Sequence, residues 1–247
     1  MRVETSGIVL YEQSIGEKDK LITILTQKEG IIRAFVRGAK KLSDRKSTAT
    51  QQFCYSNFSI YKGKEKFTVN EAVPIEIFFN LHKEIQTLAL AQYFCELSLA
   101  VVPQNSEARD FLRLILNSLH LIANTKKDPM IVKSVFELKL ISMAGYMPDL
   151  VACKGCQCYS KSKMYFCVDN ASLYCKDCFA EENKSAIMLP PGVLTAMRHI
   201  IYSEFEKIFS FNLSEENIKN LSKTTEKYIL YTLNRRFKTL EFLKNIM

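Results

Sequence analysis

The chain contains no run of 18 apolar residues, so it lacks the stretch a single helix needs to cross a bilayer. Its opening, MRVETSGIVL, is not built like a secretory leader, because Glu4 falls where a basic and then apolar segment is required. The expectation is a soluble, unexported protein of the cytoplasm with no membrane partner. Internal repeats and low-complexity linkers are missing too. Histidine is scarce, with His82, His120 and His199 making up the set of 3. A zinc deaminase needs H-x-E followed by P-C-x-x-C. The second positions after these histidines are Glu84, Ile122 and Ile201, and neither C-x-x-C follows a proline. Only His82-Lys83-Glu84 spells the first half, about 70 residues from the cysteines, where a satisfied or surface histidine on an apolar helix is expected. There is no G-x-x-x-x-G-K-[ST] loop and no nucleophile elbow, which leaves ATP use and hydrolase chemistry unsupported. Glu17 and Asp19 alternate with Lys18 and Lys20 and read as a solvated turn rather than an acid/base dyad. No enzyme is expected.

What is present begins with cysteine. Cys153, Cys156, Cys175 and Cys178 form a C-x2-C-x18-C-x2-C array. Each two-residue gap folds as a tight knuckle whose sulfurs converge, and the longer gap leaves room for a small hairpin, so the four thiolates can enclose one tetrahedral zinc. With every position taken by protein, such a metal cannot activate water and acts as a structural clip. Cys158 lies two residues past Cys156 and competes as a ligand, whereas Cys167 in MYFCV reads as a buried hairpin residue. The remaining reading, a set of reduced core cysteines, is less consistent with paired spacing. The chain has 8 cysteines, four of them assigned to a metal, which points to a reducing compartment rather than a disulfide framework.

Charge is unevenly placed. The net charge is +8, and residues 1–80 carry 13 Lys/Arg against 9 Asp/Glu, residues 81–213 carry 14 against 13, and residues 214–247 carry 7 against 4. The peak is Arg33, Arg37, Lys40, Lys41, Arg45 and Lys46, opposed only by Asp44, a footprint for a polyanion.

From residue 3 to about 74 the pattern is strand-like: VETSGIVLYEQ, DKLITILTQ, GIIRAFVRG, FCYSNFSIY and KFTVNEAV, a small five-stranded barrel. In IIRAFVR, Ile32, Ala34 and Val36 share a core face, and Ile31, Arg33, Phe35 and Arg37 share the other. In the next strand Phe58 and Ile60 face one way, and Tyr55, Asn57, Ser59 and Tyr61 face the other. Aromatic and cationic groups on a non-core face can stack bases and neutralise phosphates. The connector RGAKKLSDRKSTATQQ is short of apolar residues and is expected to be a mobile loop that reaches phosphates nonspecifically. After Pro74 the period becomes helical: 75–101, 107–124, a helix capped by Asp128 and stopped at Gly145, another from Pro191, and one from the Ser214 cap to about 244. The fold class is therefore α+β multidomain, with a barrel at 1–80 and an all-α region at 81–247 into which a zinc hairpin is inserted at about 150–182.

GIVL, Gly16-Glu17-Lys18-Asp19, Leu25-Thr26, Gly30 and RGAKKLS from Arg37, followed by FELKLISMAGYMPDLVACKGC from Phe136, resemble the bacterial RecO family along the whole chain. The resemblance implies an N-terminal OB-fold, a helical C-terminal domain with a zinc site in many members, and a recombination mediator in DNA repair. It implies binding of single-stranded and double-stranded DNA, annealing of strands coated with single-strand-binding protein, and partnership with RecR to load RecA, in the bacterial cytoplasm at the nucleoid. Arg37, Lys40 and Lys41 match the family's basic motif and take its DNA-contact role. A groove in the helical domain is the expected seat of the acidic, apolar C-terminal tail of single-strand-binding protein. The alternative is a zinc-ribbon DNA-binding transcription regulator, which would read duplex sequence through the cysteine module, although the basic excess lies elsewhere.

Overall fold

A computed structural model describes residues 1–38, 45–63, 66–179 and 185–246. The predicted Lys40 and Lys41 contacts, and the side chain of Arg45, lie outside what is described.

The N-terminal strands are β1 (Arg2–Ile15), β2 (Asp19–Thr26), β3 (Gly30–Val36), β4 (Cys54–Lys62) and β5 (Phe67–Ile77). They close a barrel in the order β1-β2-β3-β5-β4, with β4 returning to pair with β1. All neighbours are antiparallel except β3 and β5, which are parallel. The alternation read from the sequence fills the interior with Val9, Ile22, Ile24, Ile32, Ala34, Val36, Phe58 and Ile60. Ile31, read as outward, is buried.

Two expectations for this region change. The connector is not loop throughout, because Arg45–Ala49 form a short helix, α1. Its Ala49 enters the barrel core, and the Ser56 hydroxyl donates to the Ala49 carbonyl at 2.9 Å, so one apolar side chain at the end of a polar segment anchors it. The strand pattern also does not end at Pro74: β5 continues to Ile77, with Ser56 opposite Pro74, Tyr55 opposite Glu76 and Cys54 opposite Ile77. The register shift between Tyr55 and Ser56 is the bulge that lets proline sit in a paired strand. A 3-10 turn (Phe79–His82) follows, and α2 starts only at Ile85. His82 is exposed in that turn rather than carried on a helix.

Packing divides the chain at places other than the change of texture at 80/81. One compact unit comprises Met1–Thr125 with Phe237–Met247, and the other Lys126–Arg236. In the first, α2 (Ile85–Val101) and α3 (Arg109–Asn124) accompany the barrel. Gly30 has φ +63, and a Cβ there would stand 2.3 Å from the Pro103 carbonyl oxygen, so this turn tolerates no side chain where the segment after α2 crosses it. The helix expected from Ser214 to about 244 is two helices, α6 (Glu215–Leu233) and α7 (Lys238–Ile246), broken at Asn234, which is left-handed at φ 44, ψ 43. α7 packs on α2: Phe237 meets Tyr93 edge-on at 6.0 Å, and the Glu96 carboxylate accepts from the Thr239 backbone N–H at 3.0 Å.

In the second unit, the Asp128 carboxylate accepts from the Met130 N–H at 2.7 Å and caps α4 (Pro129–Met143). Ser214 caps α6, accepting from the Asn217 N–H at 3.5 Å, with Glu215 and Glu216 in its first turn. Lys133 on α4 is buried against Glu137 at 2.8 Å and Glu226 at 3.4 Å, and the Thr225 hydroxyl of α6 donates to Glu137 at 2.6 Å. Between α4 and α5 (Pro191–Tyr202) lies the cysteine segment, inserted within the helices as expected. Its hairpin, β6 (Met164–Cys167) and β7 (Ser172–Cys175), gains a third strand, β8 (Ala186–Leu189), on the far edge of β6. Among the described residues, no helix is long and apolar enough to cross a membrane.

Candidate nucleic-acid interface and metal centre

The non-core faces of β2 and β3, with Lys66 and Phe67 where β5 begins, line an open groove of about 560 Å3 whose walls carry Leu21, Thr23, Arg33, Phe35, Gln104 and Asn105. Register explains most of the grouping. Thr23 pairs with Arg33 and Leu21 with Phe35 across β2 and β3, and Phe35 pairs with Thr68 across the parallel junction, whereas Phe67 pairs with core-facing Ala34 and packs against the barrel core. Arg33 is exposed and Phe35 half-buried, as the alternation predicts for a face that is apolar at its base and wet at its rim. Lys66 Nζ stands 5.6 Å from the Phe35 ring centroid, and Lys62 Nζ stands 5.5 Å from that of Phe67. Lys62 also pairs with Glu29 at 2.6 Å, so its charge is partly offset. The half-buried Phe35 ring with the Lys66 ammonium beside it can offer base stacking and phosphate neutralisation in one place, while Phe67 is packed against the core.

Arg37 is exposed just past the end of β3, where the Gly38 N–H donates to the Asp19 carboxylate at 2.9 Å. Asp19, the first residue of β2, therefore holds the strand exit, and the turn before it is Gly16–Lys18. Lys46 is half-exposed on α1 and is not among the groove residues. The structure thus brings Arg33 and Phe35 together and places Lys46 apart. Sequence reasoning missed Lys66 and Phe67. The signal was there, in the lysine-rich sequence Lys62-Gly63-Lys64-Glu65-Lys66 just before Phe67.

In the other unit, the sulfurs of Cys153, Cys156, Cys175 and Cys178 all lie within 4.8 Å of one another, and those of Cys156 and Cys175 are 3.7 Å apart. Four sulfurs at ~2.3 Å from one zinc stand about 3.8 Å from each other, so this cluster could hold one metal ion. Cys158, left open by spacing, is not one of the four whose sulfurs all lie within 4.8 Å, although its thiol neighbours those of Cys156 and Cys175; its carbonyl accepts from the Cys153 N–H at 2.9 Å. Gln157 takes φ 61 to make that turn. A Cβ on Gly155 would meet the Cys178 Cβ at 2.8 Å, so only glycine lets the two knuckles approach. Burial raises the Cys153 thiol, but backbone N–H groups of Cys156, Cys175 and Gly155 outweigh it and bring the thiol down to about 6. Cys156 is lowered as well, foremost by the backbone of Cys158. Thiolates are the form that binds metal. Cys167 is buried in β6, as expected of a hairpin residue. The module is tied to its helices by Arg198 of α5, which donates to the carbonyls of Leu150 at 2.7 Å and Tyr159 at 2.6 Å and lies 4.0 Å from the Tyr159 ring centroid. It is also tied by Phe166, edge-on to Tyr228 of α6 at 5.3 Å.

Comparison with known families is consistent with both halves. Residues 1–78 match the Recombination protein O N terminal model, and residues 82–241 match the Recombination protein O C terminal model. The DNA repair protein RecO of Acetivibrio thermocellus is 32% identical over 244 residues, covering 99% of this chain and 97% of that protein. The proteins of the same name from Symbiobacterium thermophilum and Alkaliphilus metalliredigens are each 30% identical, covering 97% and 100% of this chain and 96% and 100% of their own. The chain belongs to the RecO family of DNA repair proteins.

Proposed function

We propose that the protein is a recombination mediator: it binds single-stranded and duplex DNA through residues 1–80, anneals complementary strands, and acts with RecR to load RecA on DNA coated by single-strand-binding protein. The observation that carries this reading is the groove across β2, β3 and the start of β5, where Arg33, Lys66 and the Phe35 ring offer charge and stacking. Holding strands and neutralising their repulsion needs no turnover, so no nucleotide is consumed. The four-cysteine cluster takes zinc in a structural role. A second groove, between α2 and α7, is lined by Ile85, Leu88, Ala89 and Phe242 with Lys238 at its rim; an apolar floor beside a cation suits the acidic, apolar tail of single-strand-binding protein. The setting is the bacterial cytoplasm at the nucleoid.

The test is DNA binding as a function of salt. Replacing Arg37, Lys40 and Lys41 together should weaken binding to every sequence and flatten the dependence of log K on log salt by about one unit per lost phosphate contact. Unchanged affinity and slope would remove the barrel from the binding site, and binding confined to one duplex sequence would favour a transcription regulator.

A further inference from the structure

Annealing requires two polyanionic strands on one protein, and the barrel groove is a single site. Along α6, Lys219, Lys223, Lys227 and Tyr231 recur at every fourth residue, and all four are exposed. Four residues of helix advance about 6 Å and turn about 40° past a full turn, so these side chains form a ridge inclined to the helix axis. Asn234 then turns the chain out of the helix, and the exposed Arg235 and Arg236 extend the charge beyond its end. The stripe borders an open groove of about 830 Å3 lined by Lys223, Glu226, Lys227, Leu230, Tyr231 and Asn234. Glu226 is the acid in that lining, and its carboxylate faces Lys133 of α4 at 3.4 Å, a cation it shares with the closer Glu137 at 2.8 Å. Lys227 donates to the Ser185 carbonyl at 3.2 Å, a neutral acceptor that leaves its charge in place. Glu215 continues the row four residues before Lys219, and with Glu216 it lies in the first turn, where both serve the helix N-terminus.

We propose that the Lys219-Lys223-Lys227-Tyr231 face of α6 is a second, sequence-independent site for a single nucleic-acid strand, used while the barrel holds the first. Its lysines neutralise phosphates, and Tyr231, 53% exposed, stacks a base at the end of the stripe. This inference rests on the reading of the barrel as the first DNA site.

The experiment uses the full chain and two non-complementary single strands, one carrying a donor dye and the other an acceptor, with energy transfer reporting both strands on one protein. The variants are K219Q/K223Q/K227Q, its counterpart with glutamate at the same positions, and the barrel variant R33A/F35A/K66A. Unchanged circular dichroism is the folding control for these exposed positions. The stripe variants should bind the first strand within about threefold of wild type yet lose energy transfer and anneal at least about tenfold more slowly, with glutamate worse than glutamine. A second strand bearing 5-bromouracil should photo-crosslink to Tyr231. The proposal fails if the stripe variants retain energy transfer, or if they lose first-strand affinity as fully as the barrel variant, which would make one continuous site. It fails as well if only binding of a polyglutamate peptide is lost, which would make the face a protein-docking surface. In each of these outcomes the barrel reading survives. If the wild-type chain binds neither strand, it is the barrel reading that falls, and this inference with it.

Discussion

At the scale of residues, position on a strand separates side chains that hold the barrel together from those that face the open groove. Ala34 and Val36 are fully buried while Arg33 is exposed and Phe35 half-buried between them. Phe35→Ala should lower affinity for single-stranded DNA by about 1–3 kcal/mol, the worth of one base stacked on a ring, with a smaller effect on duplex. Fluorescence titration of both substrates checks this, and equal loss on both would mean that the ring is structural. In the cysteine module the sensitive residue outside the ligands is Gly155. Gly155→Ala puts a methyl 2.8 Å from the Cys178 Cβ, and Cys175→Ser removes a ligand; both should reduce bound zinc from one per chain, measured by plasma emission on protein purified without chelator. A full complement in Gly155→Ala would show that the knuckles can spread. The four clustered cysteines were legible because their spacing is a local constraint. The place of Cys158 was not, since it depends on the turn at Gln157 that points its carbonyl at Cys153 while its thiol stays beside those of Cys156 and Cys175. Lys66 was missed because its partner ring, Phe35, is on another strand.

At the scale of elements, local signals were readable where they end a structure and unreadable where distant packing decides it. Asp128, Ser214 and Gly145 mark their helix ends as read. The extension of β5 through Pro74, the anchoring of α1 by Ala49 and the third strand β8 all depend on what lies opposite, which no window of sequence contains. The break at Asn234 escaped notice because NRRFK keeps a helical texture. The α4–α6 contact is of the same kind. Lys133 and Glu137 are four apart, a spacing that usually means an exposed pair, yet their side chains are only 2% and 0% exposed because α6 covers them. Lys133→Met should leave Glu137 buried without its cation and cost about 3–5 kcal/mol, while adding Glu137→Leu to it should recover most of that loss. Urea unfolding followed by helical circular dichroism measures both; a single variant as stable as wild type would mean that Thr225 and water suffice for Glu137.

At the scale of the whole molecule, the chain joins a closed barrel bearing a stacking groove to a helical unit whose inserted module is pinned by a four-sulfur cluster. The change of period near residue 80 was visible, but the packing boundary was not, because α2, α3 and α7 are helical in texture while their contacts are with the barrel unit. The central claim is that the barrel groove holds DNA for annealing without turnover. The most direct measurement is the rate at which complementary strands, coated with the cognate single-strand-binding protein, become duplex in the presence of wild-type protein or R33A/F35A/K66A, with and without ATP. Annealing by wild type should be indifferent to ATP, disappear at high salt, and fall at least about tenfold in the variant. Annealing that needs hydrolysable nucleotide, or that the variant performs as fast as wild type, would contradict it.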